Sequence, residues 1–572
     1  MITDDIEPAA RAAGTVPGPD APVESVWAGF STGHRVLDTA ELAELCTALH
    51  GHGPAGVPAR AARELISYTA PADAGPGAQA PPAVILHSAT RTTRGFDGDL
   101  ADVRAGRDPY DVAGYLESRA VSLAAAGDLA VGRTSPWRDA VDHYGADSLD
   151  IGLTDHYYLS DALLTAAAAH GPGGTGPLTA LIDWLRERPS AVVRLYALDP
   201  ETQVFLLWLK ERAGLDVLYV DANNPVVSER WNRKNHIHPT VADALTVPVD
   251  GLGPAGLLAA EQRQSEAYRL LGMDVPVLPG YLVLRTTDEE SFADGLVAAA
   301  RLLAGRHGLE RGCLKPCEAG DGARIVPGLA LKDEAGLRAH AREAYRHGDA
   351  YVLEAHLDFL RCGIGGRDFI VSPSGHIRGG QVAPGMTLQL MNGVSWEGNV
   401  TLTAQDCARM GMPAEHHASM TRAMDAVRDA FRGPGSEAQG CRGGMVTGGV
   451  DFGVGRIGGI HGDGLVLGAI DFNLSSHGAE YMRVFQDEVA GDPDAGHVAT
   501  RVYRPGAEAG MAATRAAVER LTPPGRRSKV VASVPGRWGM VAVTGSGLED
   551  AALAAEALVD GLRAASLARG PA

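Results

Sequence analysis

The sequence lacks a long apolar run, and it contains only six cysteines in 572 residues. A bilayer-spanning helix needs about 20 consecutive apolar residues, so a membrane-embedded helical fold is excluded. The cysteines are scattered along the chain, which argues against a disulfide scaffold and favours a reducing, cytoplasmic setting. The segment Met1–Asp5 has neither a basic start nor an apolar core, so we expect no secretory signal there.

Positive charge is also scarce, because 51 Lys and Arg residues face 70 Asp and Glu residues. The net charge of −19 repels DNA, RNA and anionic membranes, so we expect neither nucleic acid nor membrane as a partner. Local basic pockets for small anions remain compatible with this balance. The length is sufficient for three or four domains with separate cores.

Composition and Gly/Pro-rich punctuation divide the chain into parts. The first residues are rich in Ala, Pro, Gly and acidic side chains without periodic apolar spacing, which predicts a disordered tail. A folded region of unassigned role follows, with helical spacing from Thr39 to His50 and Asp38 or Thr39 as the cap. The clearest flexible joint is Gly171–Pro177. The predicted parts are 1–24, 25–159, 160–249, 250–490 and 491–572.

Predicted helices and strands alternate between residues 160 and 249. This alternation indicates a parallel sheet, so we predict a Rossmann-like domain there. No G-x-G-x-x-G motif accompanies it, and dinucleotide binding therefore receives little support. At the other end of the chain, two strand-like runs from Ser528 to Val543 and a helical pattern from Leu548 to Ala568 predict a β-β-α segment.

Two short apolar runs late in the chain carry acidic and amide side chains. Gly449–Gly453 and Leu465–Asn473 are separated by Gly-rich sequence, which predicts a β-hairpin. Asp471 and Asn473 are two residues apart, so they leave the same strand face, and Asp451 on the partner strand can reach that face. Three such oxygen donors suit Mg²⁺ or Mn²⁺. The alternative is that Asp471 and Asn473 only begin a loop.

An earlier stretch places Lys315 inside a short apolar strand that a Gly-containing loop follows. Backbone N–H groups of such a loop approach phosphate oxygens closely, and the Lys adds a point charge. Cys313 and Cys317 flank this Lys at alternating positions. Buried strand residues explain the two cysteines better than a zinc pair does, because no second Cys pair follows at suitable spacing.

The order of these elements resembles that of the ATP-grasp ligases over about residues 250–485. A strand with Lys and Pro comes first, then a Gly loop, a strand running into a Glu, and finally Asp and Asp-x-Asn on late strands. The resemblance implies ATP as a substrate and Mg²⁺ or Mn²⁺ as its metal. The roles it implies are phosphate contact for Lys315, loop closure for Gly320 and Gly322, adenine binding for Glu354 with the backbone of Ala355 and Leu357, ribose binding for Asp368, and metal binding for Asp451, Asp471 and Asn473.

Two departures from the ATP-grasp pattern affect the charges at the predicted site. Many family members carry a second phosphate-binding Lys on the helix that opens the ATP-binding part, where this sequence has Arg263. Many also carry Arg two residues after the metal-binding Asn, and no Arg stands there in this chain. The cation that steadies the acyl phosphate is then expected from Arg378, Arg367 or Arg483, although each fits a surface charge as well.

The segment Asn223–Pro239 is polar, aromatic and basic in an otherwise acidic chain. It is read either as a loop and short helix between domains or as a segment whose amides and cations meet a substrate or phosphate. It resembles the corresponding region of the pheganomycin-type peptide ligases, and the C-terminal segment does as well. That resemblance implies amino acid or short peptide substrates in specialised metabolism. The segment Gln381–Asn399 likewise has two interpretations, because it could shape an acceptor pocket or form a tight connection between strands.

The fold class we predict is α/β and α+β multidomain, with a Rossmann-like domain preceding an ATP-grasp domain. The function that the resemblance implies is carboxylate–amine ligation through an acyl phosphate, with ADP and phosphate released. Two alternatives remain, namely loading of an amino acid onto a carrier-protein thiol and a non-catalytic ATP-binding module. Small amino acid or peptide substrates are the expected partners, and a homodimer is left open.

Overall fold

The computed structural model places the chain in two compact units. One unit is formed by Val226–His477, and the other by the residues up to Pro225 together with those from Gly478 onward. The residues that the structure describes are 35–69, 81–86, 88, 90, 116–117, 120–133, 138–152, 155–171, 174–237, 267–273, 275–317, 324–348, 350–392, 395–458, 465–491, 496–506, 509–535 and 538–569.

The residues before Val226 form a parallel sheet of six strands in the order β1-β6-β5-β2-β3-β4. The parallel sheet that alternation predicted is therefore present, and its Rossmann-like character stays a prediction. Strands on both sides of residue 159 belong to this one sheet, so the predicted boundary there does not coincide with a break in it. The strands are β1 Leu65–Ser67, β2 Ala83–Ile85, β3 Leu129–Gly132, β4 Asp147–Asp150, β5 Val192–Arg194 and β6 Leu218–Asp221.

In the described residues before Val226, six helices accompany this sheet, and two of them begin at side-chain caps that the sequence indicates. Asp38 and Glu41 form a reciprocal capping box at the first helix. Asp199 accepts a hydrogen bond from the N–H of Thr202 at 2.7 Å, where the longest of the six begins. The helices are α1 Thr39–His50, α2 Val57–Glu64, α3 Arg138–Tyr144, α4 Leu159–His170, α5 Pro177–Glu187 and α6 Pro200–Ala213, with 3₁₀ turns at Pro54–Gly56 and Val121–Leu123.

The unit Val226–His477 contains a four-stranded antiparallel sheet in the order β7-β10-β8-β9. Two helices pack on each other and on this sheet, and Asp288 and Asp333 cap them. Phe292, Leu296 and Leu353 are fully buried in the resulting core. The elements are a π-helical turn Val226–Trp231, α7 Lys234–Ile237, a second π-helical turn Ala267–Leu271, β7 Gly280–Val283, α8 Glu289–His307, β8 Arg311–Pro316, β9 Val326–Ala330, α9 Glu334–Arg346 and β10 Tyr351–Ala355.

A second set of strands in the same unit follows the order β11-β18-β14-β16-β17, with β19 paired to β18, β15 paired to β14, and β12 and β13 forming a separate hairpin. The predicted late hairpin is confirmed, since β18 and β19 pair antiparallel. The elements are β11 Asp358–Phe359, β12 Arg361–Ile364, β13 Arg367–Ile370, β14 Pro373–Arg378, β15 Gln381–Val382, β16 Met386–Asn392, β17 Ser395–Leu402, α10 Ala404–Arg409, α11 Ala414–Arg432, α12 Pro434–Ala438, β18 Gly448–Arg456 and β19 Val466–Asn473.

The backbones of β11 and β18 approach each other closely at Gly455. A Cβ atom at this position would lie 2.2 Å from the carbonyl oxygen of Asp358, whereas one at nearby Gly458 would meet nothing within 4 Å. Because backbone cannot move aside as a side chain can, Gly455→Ala is expected to destabilise the protein by about 1–3 kcal/mol. Urea unfolding measures this difference, with Gly458→Ala as the matched control. Equal midpoints for the two variants would contradict the strand pairing.

The chain after His477 forms a three-stranded antiparallel sheet, β20-β22-β21, covered by its last helix. The predicted β-β-α segment is confirmed, and a further strand and helix precede it. Among the residues that the structure describes, no helix has the length and apolar character that crossing a membrane requires. The elements are α13 Glu480–Glu488, β20 His497–Tyr503, α14 Met511–Leu521, β21 Ser528–Val534, β22 Trp538–Gly545 and α15 Leu548–Ala564.

Candidate active site

Lys315 connects the two sheets of the unit Val226–His477. Its strand β8 pairs with β10, and its Nζ forms an ion pair with the carboxylate of Glu354. The same Nζ donates a hydrogen bond of 3.0 Å to the carbonyl oxygen of Ile470 on β19. Both charged side chains are buried. The predicted phosphate-binding Lys thus lies beside the strand that carries the predicted metal ligands.

The three predicted metal ligands come together on the β18–β19 hairpin. Asp451 lies directly opposite Asp471 in the strand register, and Asn473 lies opposite Gly449. The Asn473 Nδ2 donates to Asp451 Oδ2 at 3.1 Å. The alternative that Asp471 and Asn473 begin a loop is wrong, because both belong to β19.

Buried negative charge dominates the electrostatics of this hairpin. Burial and the neighbouring Asp471 raise the pKa of Asp451 from 3.8 to about 7, although hydrogen bonds from Ser374 and Asn473 work in the other direction. Burial is the largest single influence on the pKa of Lys315 and works to lower it, but the charge and hydrogen bond of Glu354, together with the nearby Cys313 and Asp471, raise the pKa overall. Lys315 is therefore an ammonium at neutral pH.

Two residues of the site, Lys234 and Asn232, are not indicated individually by the sequence. The Lys234 Nζ lies 2.9 Å from Asp471 Oδ1, and its backbone N–H donates to the carbonyl of Cys317 at 3.1 Å. Asn232 Oδ1 accepts a hydrogen bond of 2.8 Å from the N–H of Leu474. Both residues lie in the polar segment Asn223–Pro239, so its unusual composition was the available signal. Which of its residues reach the hairpin depends on the fold.

A third group that the sequence did not reveal lies behind Asp451. Ser374 Oγ donates to Asp451 Oδ1 and lies 3.1 Å from His376 Nε2. The His376 ring stacks on that of His477 with centroids 4.5 Å apart and planes 15° from parallel. All four side chains are buried. Ser374 and His376 lie on β14, Asp451 lies on β18, and His477 follows β19, so the network joins residues that are far apart in sequence.

Three other predicted site residues of this unit lie on β13 and β14. Asp368 is exposed on the β12–β13 hairpin and forms an ion pair with Arg361, so nothing in the described structure brings it to Lys315. Arg367 forms an ion pair with Glu397 at 2.7 Å. Arg378 ends β14, where its backbone pairs with that of Gln381 in a tight hairpin.

The remaining predicted residues fall into two groups. Arg483 belongs to the other unit, where it is buried and donates to Gln486 at 2.8 Å. Arg263, Gly320 and Gly322 lie outside the described residues.

The predicted adenine-binding backbone is only partly available for hydrogen bonding. The N–H of Ala355 donates to the carbonyl of Pro279 at 2.7 Å, which excludes it as a donor to a ligand. The N–H of Leu357 meets no acceptor among the described residues. Leu357 is therefore the better donor for a base edge at this strand end.

The structure also shows the surroundings of Cys313, Cys317 and the segment Gln381–Asn399. Cys313 and Cys317 are buried, and burial raises the pKa of the Cys313 thiol to about 12, which disfavours a thiolate ligand. Trp396 is buried and donates to Asn399 Oδ1 at 2.9 Å within β17. The described part of Gln381–Asn399 belongs largely to strands β15, β16 and β17, and the role of an acceptor pocket stays a prediction.

The donor set on the hairpin fits a hard divalent cation by its chemistry. In the described part of the chain no three His, Cys, Asp or Glu side chains converge as a metal cluster. Two facing carboxylates and a neighbouring amide nevertheless supply oxygen donors, and the raised pKa of Asp451 marks negative charge that a cation relieves. Asp451, Asp471 and Asn473 are the residues that would hold Mg²⁺ or Mn²⁺.

The pH dependence of stability tests this electrostatic environment. The folded pKa of Asp451 lies above its unfolded value, so the stability it contributes is complete below pH 3.8 and is lost as the pH rises through about 7. The loss reaches about 1.4 kcal/mol per pH unit. Asp451→Asn is expected to abolish this fall in urea titrations from pH 4 to 8. Asp425→Asn on α11 is the control with unchanged slope, and identical pH profiles for wild type and Asp451→Asn would refute the assignment.

Neither a protein-family model nor a curated protein matches this sequence. Among solved structures, the chain is similar to the D-cycloserine synthetase DcsG, with 15% identity, 57% of this chain and 92% of that chain covered, and a TM-score of 0.27. It is similar to N5-carboxyaminoimidazole synthetase from Staphylococcus aureus complexed with ADP, with 8% identity, coverage of 85% and 98%, and a TM-score of 0.39. The chain is also similar to the biotin carboxylase domain of Hydrogenobacter thermophilus 2-oxoglutarate carboxylase, with 12% identity, 81% of this chain and 86% of that chain covered, and a TM-score of 0.40. Identities and TM-scores this low do not assign the chain to a family.

Proposed function

We propose that this protein is an ATP-grasp ligase that joins a carboxylate to an amine. The observation that carries the proposal is the meeting of Lys315 and Glu354 from one antiparallel sheet with Asp451, Asp471 and Asn473 from another. These residues come from four strands, β8, β10, β18 and β19, in the order that resembles the ATP-grasp ligases. A buried ammonium beside a carboxylate pair suits the phosphates of a metal–nucleotide complex.

The chemistry of the proposal is two successive displacements. A carboxylate oxygen of the acid attacks the γ-phosphorus, the bond to the bridging oxygen breaks, and ADP departs with that electron pair. An amine then attacks the acyl carbon, releases inorganic phosphate and loses a proton. Lys315 balances the negative charge of the phosphates, and Asp451, Asp471 and Asn473 would hold a divalent cation that shields the phosphate oxygens.

The acid is proposed to be amino acid-like, and the amine to belong to an amino acid or short peptide. This finer assignment rests on the resemblance of the segment Asn223–Pro239 and of the C-terminal segment to the pheganomycin-type ligases. The Lys234 ammonium within that segment adds a positive charge to the site that suits an anionic substrate.

The test is the fate of oxygen-18 placed in the carboxylate of candidate acids. Incubation with MgATP and candidate amines is expected to give ADP, an amide product and labelled inorganic phosphate. Hydroxylamine is expected to trap the acyl phosphate as a hydroxamate when the natural amine is omitted. Label in AMP would replace the proposal by adenylation, and ATP binding without ADP formation across the panel would favour a non-catalytic module.

A further inference from the structure

Lys234 adds a second positive charge to the site. It begins α7, outside both sheets, yet its Nζ lies 2.9 Å from Asp471 Oδ1. Its positive charge also acts on Glu354, whose carboxylate is paired with Lys315. Two ammonium groups and three carboxylates are thus gathered in one buried cluster.

Two hydrogen bonds hold the segment around Lys234 to the ends of the functional strands. The N–H of Lys234 donates to the carbonyl of Cys317, directly after β8. Asn232 accepts from the N–H of Leu474, directly after β19. The Lys234 backbone is therefore fixed between the strand of Lys315 and the strand of Asp471, and only its side chain has freedom to change partner. The side chain itself is 12% exposed, so its ammonium has little access to water.

We propose that Lys234 is a second phosphate-binding lysine that exchanges Asp471 for an anionic ligand when a divalent cation takes that carboxylate. The inference rests on the proposed function. A divalent cation held by the Asp471 carboxylate would repel an ammonium held by the same carboxylate. Glu354 already has Lys315, so the remaining partner for the tethered ammonium is the phosphate oxygen of a nucleotide or acyl phosphate.

The exchange predicts that removing Lys234 changes the affinities for two ligands in opposite directions. Lys234→Met keeps the chain length and removes the charge. Without its competitor, Mn²⁺ alone is expected to bind about tenfold tighter. MgADP is expected to bind about tenfold to hundredfold weaker, because a charge-assisted contact to phosphate is lost.

The experiment measures Mn²⁺ binding by electron paramagnetic resonance and MgADP binding by calorimetry on the full chain. Lys234→Arg is expected to restore most of the MgADP affinity, and exposed Lys332→Met is the matched charge control. Thermal unfolding of each variant establishes that it is folded. Weaker binding of both ligands, or unchanged MgADP binding, would show that Lys234 is a structural ion-pair partner only, and unchanged Mn²⁺ binding would overturn the exchange at Asp471.

The two proposals fail in different ways in this experiment. A wild-type protein that binds no MgADP would overturn the proposed function and the phosphate role of Lys234. A wild-type protein that binds MgADP, together with a Lys234→Met variant of unchanged affinity, would overturn the role of Lys234 alone. The Mn²⁺ measurement tests competition at Asp471 without any nucleotide.

Discussion

Lys315→Met is expected to lower nucleotide affinity about tenfold to hundredfold and to reduce ligase turnover by about 10³-fold or more. The ammonium is buried and held in position by Glu354 and the Ile470 carbonyl, so it meets phosphate without first giving up a full hydration shell. Preorganised charge of this kind contributes more to a phosphoryl transfer than an exposed charge does. Calorimetry with MgADP and an assay of ADP release measure the two effects.

The structure adds a stability effect to this prediction. The Glu354 carboxylate would remain buried without its ion-pair partner, which costs about 3–5 kcal/mol. The double variant Lys315→Met with Glu354→Gln is expected to recover most of the stability and none of the activity. Recovery of activity, or full nucleotide affinity in Lys315→Met, would rule out the phosphate-binding role.

The second large effect is expected at Asp471, where Asp471→Asn removes one of the two facing carboxylates. Mg²⁺-dependent turnover should fall by about 10²–10³-fold, because an amide replaces an anionic donor at the metal. Asn473→Ala should act in the same direction, since Asn473 lies two residues along the same strand face. Titrating activity with Mg²⁺ separates a loss of metal affinity from a loss of folded protein.

Asp425→Asn serves as the control for this comparison. Asp425 is 46% exposed on α11 and forms only a local ion pair with Arg428, so its loss is expected to leave the Mg²⁺ dependence unchanged. If Asp471→Asn and Asn473→Ala retained the wild-type Mg²⁺ dependence, the hairpin would be structural and the proposed function would lose its metal site.

The elements whose cause is local could be predicted from the sequence. The Asp38 cap, the start of α6 after Asp199 and the β18–β19 hairpin all follow from neighbouring residues and from strand periodicity. A period of two residues places Asp471 and Asn473 on one face, and the pairing of two runs across a Gly-rich turn brings Asp451 opposite.

Which distant residues join this local pattern depends on how the strands and helices pack together. Lys234 reaches Asp471, and Lys315 reaches the carbonyl of Ile470, over separations of more than 150 residues. Asp368, predicted to bind ribose, is instead held in an exposed ion pair because β12 and β13 form a hairpin of their own. Contacts of this kind depend on strand order and sheet packing, which side-chain periodicity along one segment does not encode.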